Sequence, residues 1–180
     1  MKFFCLFIKK LLRYLLKPLS FLPALGMMYL IYSMSAQTAV ASSALSESLT
    51  YRLLELAARL LDLSPEPSLL LEYTRLLNGL IRKCAHITEF FLLAVSVSLP
   101  LYVYRVRGFK LVLISGLFCV LFAALDEYHQ TFVPGRSGSP RDVLIDCIGI
   151  LPGIYFTRIF GWLGRMTIFR PLTLDHSAAK

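Results

Sequence analysis

Charge is scarce in this sequence. Asp, Glu, Lys and Arg make up 17% of its 180 residues, against about a quarter in an ordinary soluble domain. Acids are scarcer still, 11 against 19 bases, for a formal net charge of +8. The four cysteines, Cys5, Cys84, Cys119 and Cys147, include no CxxC spacing. That argues against a zinc ribbon or a disulfide framework and leaves buried, inert thiols as the reading. No GxSxG segment is present, so that serine-nucleophile motif is missing. No internal repeat is found.

Apolar side chains are what the chain has in excess: 57% of residues are hydrophobic and the mean hydropathy is +0.66. They cluster in long runs instead of alternating with polar residues, which favours membrane spans over a soluble core. The bases also cluster. Lys2, Lys9, Lys10, Arg13 and Lys17 crowd the N-terminus, Arg105, Arg107 and Lys110 the middle, and Arg158, Arg165, Arg170 and Lys180 the end. These groups hold 12 of the 19 bases and a single acid, Asp175. Such spacing suits a cytoplasmic face against anionic lipid, and it excludes the one basic surface that a nucleic-acid partner requires.

Along the chain, residues 1–18 read as a basic amphipathic leader on the inner leaflet, with Lys9, Arg13 and Lys17 four residues apart. A signal peptide cut after Ala39-Val40-Ala41 is the rival reading of the start. Spans are expected over about 19–36, 81–104, 110–128 and 141–160. Between the first two, Leu45, Leu49, Leu53, Leu56, Leu60 and Leu63 recur every three or four residues opposite Glu47, Glu55, Arg59 and Asp62. That predicts an amphipathic helix on the outer surface or over the bundle. Ser64-Pro65-Glu66 predicts the cap of a second short helix ending near Asn78-Gly79. In the last span, Gly149 and Gly153 permit close helix approach, and Pro152 predicts a kink. The fold class is thus all-α: an integral membrane four-helix bundle (19–165) with a basic N-terminal amphipathic helix, an extracytoplasmic amphipathic helical segment between spans 1 and 2, and a cytoplasmic tail (166–180). Loop basicity puts both termini inside and Arg105 to Lys110 in a cytoplasmic turn.

Helix rise then serves as a ruler. Glu89 lies sixteen residues from Arg105, Asp126 sixteen from Lys110, and Asp142 sixteen from Arg158. At about 1.5 Å per residue each carboxylate sits about 24 Å above the inner boundary, near the outer edge of a core about 30 Å thick. His86 falls one turn above Glu89 on the same face, and Arg82 and Lys83 continue that stripe. Asp126 and Gln130 share a face of the third span, while Glu127 and His129 point elsewhere. Asp146 lies one turn below Asp142, and Arg136 sits in the turn Pro134-Gly135-Arg136-Ser137-Gly138-Ser139-Pro140.

Each residue also has a plainer reading. Asp142 fits a capping box with Ser139. Glu89 and Asp126 could neutralise Arg82, Lys83 or Arg136, Glu127 and His129 could be solvated, and His86 could be a hydrogen-bonded core histidine. His86-x-x-Glu89 with Asp126 and Asp142 is a conceivable nitrogen and oxygen ligand set. The adjacent bases oppose a cation, so no metal and no cofactor is assigned. An anion is better supplied: Arg82, Lys83 and Arg136 bring charge, and the glycine- and serine-rich turn brings backbone N–H groups.

Arg82-Lys83-x-x-His86-x-x-Glu89-Phe90, then Asp126-Glu127-x-His129-Gln130-x-Phe132-x-Pro134-Gly135-Arg136, then Arg141-Asp142 and Gly149 resemble the VanZ-like family. Ser33-x-Ser35-x-Gln37 is similar to the segment after that family's first span. The likeness covers roughly residues 25 to 160, and Asp146 stands where many relatives have Asn. It implies a multi-pass protein of a bacterial plasma membrane and a link to low-level resistance to teicoplanin, a glycopeptide that binds cell-wall precursors. It implies no established reaction.

Two functions follow as expectations. In the first, the chain binds or remodels an anionic envelope lipid or a lipid-linked cell-wall precursor. The ligand-binding candidates are Arg82, Lys83, His86, Glu89, Asp126, Gln130, Arg136 and Asp142, the acids orienting the bases. In the second it is a membrane-embedded acid/base enzyme acting on a lipid headgroup, with candidates His86, Glu89, Asp126, Glu127 and His129. A structural or accessory subunit is the third reading. Membrane lipids are the expected partners.

Overall fold

The structure is a computed structural model that describes residues 18–166, with side chains to 163. The basic leader, apart from Pro18, and the tail from 167 onward lie outside the described residues. Five helices are described: α1 (Leu22–Ser35), α2 (Ala39–Leu60), α3 (Pro67–Val103), α4 (Gly108–Gln130) and α5 (Pro140–Met166). No strand occurs among the described residues. Three helices are long and apolar enough to cross a membrane: α3, α4 and α5 to Leu163. Helix α1 has 14 residues, about 21 Å of rise, less than the roughly 30 Å of a hydrocarbon core. The first span expected over 19–36 therefore appears as a shorter apolar helix.

Helix α3 departs most from expectation. Its 37 residues, about 55 Å, join the expected short helix and the second span into one rod. Asn78-Gly79 does not end it. Gly79 keeps helical geometry, and a Cβ there would meet nothing within 4 Å. The rod starts with Glu66 at the cap and Pro67 in the first turn, two residues later than Ser64-Pro65 suggested. Pro67 fits there because the first N–H groups of a helix have no internal partner.

Two helix ends close in the same way with unusual residues. After α2, Asp62 (φ 55) takes the left-handed conformation, with Leu63 N–H on the Ala58 carbonyl (2.8 Å) and Asp62 N–H on Arg59 (3.3 Å). After α3, Arg105 (φ 67) does the same, with Val106 N–H on Leu101 (3.0 Å) and Arg105 N–H on Tyr102 (3.1 Å). Both are Schellman ends, where glycine is the usual residue. The second one makes the expected basic turn between α3 and α4.

One core joins α1, α3, α4 and α5: Ala24 and Ile31 meet Phe90, Leu93, Ala94 and Val97, with Cys119 and Ala123 from α4 and Ile150 and Ile154 from α5. Helices α3 and α5 approach closest. A Cβ on Gly149 would overlap the Ile87 carbonyl oxygen, and one on Gly153 would lie 2.5 Å from that of Phe91. Further along the same stripe, Ser98 Oγ donates to Thr157 Oγ1 (2.8 Å, buried), and a Cβ on Gly161 would come 2.7 Å from the Tyr102 ring. The small-residue pair seen in the sequence is thus half of a four-member stripe, 149, 153, 157 and 161, one residue per turn. It brings two backbones together where no larger side chain fits. Helix assignment runs unbroken through Pro152.

Helix α2 turns back along the first half of α3. Its buried residues are Thr50 and Ala58, so small side chains face α3. The six leucines from Leu45 to Leu63 lie between 43% and 78% exposed. Of these, only Leu45 and Leu49 border a cavity of the bundle. Among the described cysteines, Cys119 is buried but Cys84 is exposed and Cys147 half-buried, which corrects the reading of all as buried.

Candidate functional site

The loop between α4 and α5 builds one wall of the site. Ser139 is the N-terminal cap of α5: its Oγ accepts from the Arg141 N–H (3.2 Å), and Pro140 follows in the first turn. In a capping box the Ser139 N–H would go to the side chain at Asp142. Here that N–H donates to Glu127 Oε2 of α4, at 2.8 Å. Glu127 thereby performs the box's second half from a neighbouring helix, and Asp142 is released to line a cavity. This settles the capping reading of Asp142 and corrects the orientation expected for Glu127, which is 6% exposed. Gly138 permits the contact, since a Cβ there would overlap the Glu127 carbonyl oxygen.

The same loop is stitched to the α1–α2 junction. The Ala39 N–H donates to the Pro134 carbonyl (3.3 Å) and Arg136 Nη2 to that of Met34 (3.2 Å). Gly135 has φ 76, a left-handed turn that glycine adopts at little cost. Arg136 is half-buried, and its Nε is buried with no hydrogen-bond partner among the described residues. Burial and the neighbouring Arg82 charge push its guanidinium below the ordinary arginine value, while Asp126, Glu127 and Glu89 pull the other way. Arginine stays charged through such shifts.

Two adjoining cavities meet at this wall. The larger, about 330 Å³, holds Arg82, Lys83, Glu127, Gln130, Asp142 and Asp146. The smaller, about 90 Å³, holds Glu89 and Asp126 beneath an apolar side made by Ile31, Leu45, Leu49 and Ile81. Arg82, His86 and Arg136 line both. Acids from α3, α4 and α5 thus face shared space with the bases, as the helix ruler led one to expect.

The pairing inside it differs from expectation. Among the described residues, no carboxylate lies within 4.0 Å of Arg82, Lys83 or Arg136. Most of the acids are engaged elsewhere. Asp126 Oδ2 accepts from Gln130 Nε2 at 3.0 Å, and Glu127 accepts from Ser139. His86 Nδ1 stands 3.9 Å from both Glu89 Oε2 and Asp146 Oδ1, too far for a direct hydrogen bond but close enough for charge to be felt. The acids thus do not hold the bases directly.

Of the expected site residues, His129 stays outside. It lines neither cavity, and its ring lies 4.8 Å from that of Tyr32. Asp146, 2% exposed, joins the site although the sequence reading left it below. Its spacing of four residues from Asp142 was the available signal. Ser35 was also missed as a lining residue; its Oγ is buried without a partner among the described residues. No set of three or more His, Cys, Asp or Glu side chains among the described residues is arranged to hold a metal ion.

No curated protein and no solved structure matches the chain. A family model does, over residues 20–161. That stretch contains all five helices down to Gly161, the charged cavity and its capping loop, and with three long apolar helices it makes this a membrane protein that belongs to the VanZ/LLP1 family.

Proposed function

We propose that the charged cavity binds the phosphate-bearing headgroup of an anionic envelope lipid or lipid-linked cell-wall precursor. The observation that carries this reading is the division of labour in the cavity. Arg82, Lys83 and Arg136 line it with no carboxylate within ion-pair distance among the described residues, and a buried Arg136 Nε has no partner. A cation held partly out of water favours an anionic ligand, and the planar guanidinium matches phosphate oxygens two at a time. The apolar side of the smaller cavity, Ile31, Leu45, Leu49 and Ile81, suits the first carbons of a lipid tail.

Orientation follows from the same end-to-end contrast. Arg105, Arg107 and Arg158 stand at the end away from the cavity, so loop basicity puts that end and both termini in the cytoplasm and the cavity near the outer edge of a bacterial plasma membrane. In this reading α1, with residues preceding it, supplies a fourth crossing. A precursor ligand would connect the protein with glycopeptide susceptibility, as the family resemblance implies.

The test is native mass spectrometry of the purified protein, supplied with phosphatidylglycerol or a polyprenyl phosphate. The wild type is expected to retain one more such lipid than Arg136→Ala, which inserts normally. Retention unchanged in Arg136→Ala, or no retention by the wild type, would overturn the proposal. A second reading, an acid/base enzyme acting on that headgroup, is favoured by one observation, His86 Nδ1 standing equidistant from Glu89 and Asp146. Turnover of a lipid phosphate that Glu89→Gln abolishes would establish it.

A further inference from the structure

The opposite end of the bundle carries a second basic cavity, about 350 Å³, between the end of α3, the turn into α4 and the last turns of α5. It is lined by Arg107, Arg158, Tyr102, Tyr155, Ile159 and Trp162, and no acid is among its lining residues. His86 and Tyr102 lie sixteen residues apart on one rod, so about 24 Å separates it from the first site.

Its two cations are posed alike. The Arg107 guanidinium stands over the Tyr102 ring at 5.3 Å and that of Arg158 over Tyr155 at 5.3 Å. Stacking on an aromatic face holds the planar group while leaving its N–H edge open to an acceptor. The Tyr102 ring is itself seated against Gly161, where a Cβ would come 2.7 Å from it. Neither arginine has a carboxylate within 4.0 Å among the described residues. The sequence makes this unavoidable nearby, because no Asp or Glu occurs at positions 90–125 or 147–174. Two arginines fixed by separate elements converge on one space, and that stretch of chain offers no counterion.

The rim identifies the kind of molecule. Ile159, Phe160 and Trp162 are 59%, 58% and 52% exposed, and Phe109 is 76% exposed. Trp and Tyr at a span's end mark the headgroup level of a bilayer, and basic pockets between helices there take phosphate headgroups. We infer that Arg107 and Arg158, stacked on Tyr102 and Tyr155, form a binding site for a phosphate group carried by an anionic lipid of the leaflet at this end. The phosphate would lie between the guanidinium edges, its acyl chains running along Ile159 and Phe160. This site is separate from the charged cavity and does not depend on what that cavity binds.

The experiment uses the full chain in detergent and native mass spectrometry, comparing phosphatidylglycerol with phosphatidylcholine of the same acyl chains. One phosphatidylglycerol per chain is expected to be kept about tenfold better than phosphatidylcholine, and to be lost about tenfold more readily in Arg107→Gln/Arg158→Gln. Lys110→Gln removes one positive charge outside the cavity, against two in the double variant, and is expected to leave retention within twofold of wild type; Arg136→Ala is expected to leave this lipid in place. Arg107→Lys/Arg158→Lys keeps the charge but loses the stacked fork, and a severalfold drop there supports the geometry. Wild-type retention in both double variants, or the same loss in Lys110→Gln, would overturn the site. Displacement of the lipid by millimolar inorganic phosphate would assign the pocket to free phosphate and overturn the lipid as its source.

Discussion

A methyl group placed on Gly153 probes the close approach of α3 and α5. Its Cβ would lie 2.5 Å from the Phe91 carbonyl oxygen and 2.9 Å from Ala94 Cβ, where ordinary contact is about 3.5 Å. The oxygen belongs to helical backbone and cannot rotate aside, so α3 and α5 must part by about 1 Å. Overpacking of this kind costs about 1–3 kcal/mol, and the better helix propensity of Ala offsets about 1 kcal/mol of it. Gly153→Ala is therefore expected to destabilise by about 0–2 kcal/mol net, and Gly149→Ala by more, since three backbone atoms of Ile87 and Phe91 crowd that position. Gly79→Ala is the internal control. Nothing lies within 4 Å of its Cβ, so only the propensity gain of about 1 kcal/mol remains. Gly153→Ala and Gly79→Ala should differ by about 1–3 kcal/mol, some fivefold to 150-fold in the unfolding equilibrium. Unfolding in mixed micelles by titration with a denaturing detergent, followed through the single tryptophan, Trp162 on α5, reads this directly. A Gly153→Ala variant stabilised as much as Gly79→Ala would refute the close approach. A loss above about 1 kcal/mol in Gly79→Ala would mean that α3 ends there after all.

Three further outcomes are expected in the same assay. Glu127→Ala strands the Ser139 N–H at the start of α5 and should cost about 1–3 kcal/mol, with Glu127→Gln recovering most of it; equal losses in both would deny Glu127 its capping role. Thr157→Val removes the buried acceptor of Ser98 and should cost about 0.6 kcal/mol, the usual worth of a hydrogen bond between membrane helices, and a Ser98→Ala/Thr157→Val pair costing twice that would argue against a shared bond. Asp62→Gly should stabilise by about 0.5–1 kcal/mol because φ 55 suits glycine better than Asp, and a destabilised variant would contradict the left-handed end of α2.

How much of this was legible in the sequence depends on the range of the forces involved. Apolar runs and basic turns act through the membrane as solvent, so the three long apolar helices could be read from the sequence. The gathering of Glu89, Asp126 and Asp142 around adjoining cavities was also legible, because helix rise is fixed. Asn78-Gly79 misled because the sequence weighs only local propensity, whereas α2 packs along α3 and carries the helix through. Asp142 and Glu127 were exchanged for a related reason: a capping box is a local pattern, and the competing acceptor comes from twelve residues upstream. Asp146 and Ser35 face the cavities because of how α3, α5 and α1 turn about their axes, which helix spacing alone does not specify.

An unbroken α3 has a mechanical consequence. Arg82, His86 and Glu89 stand midway along a stiff rod whose next turns are clamped against Gly149 and Gly153, so that flank of the chamber is fixed in place. Any widening to admit or release a guest must come from the opposite flank, where the α1–α2 junction and the 131–139 segment are joined by two hydrogen bonds, Arg136 to Met34 and Ala39 to Pro134. If the chamber takes an anion, as proposed, Arg136 is both hinge pin and docking group: an anion that draws its guanidinium inward also loosens the strap that keeps the chamber shut.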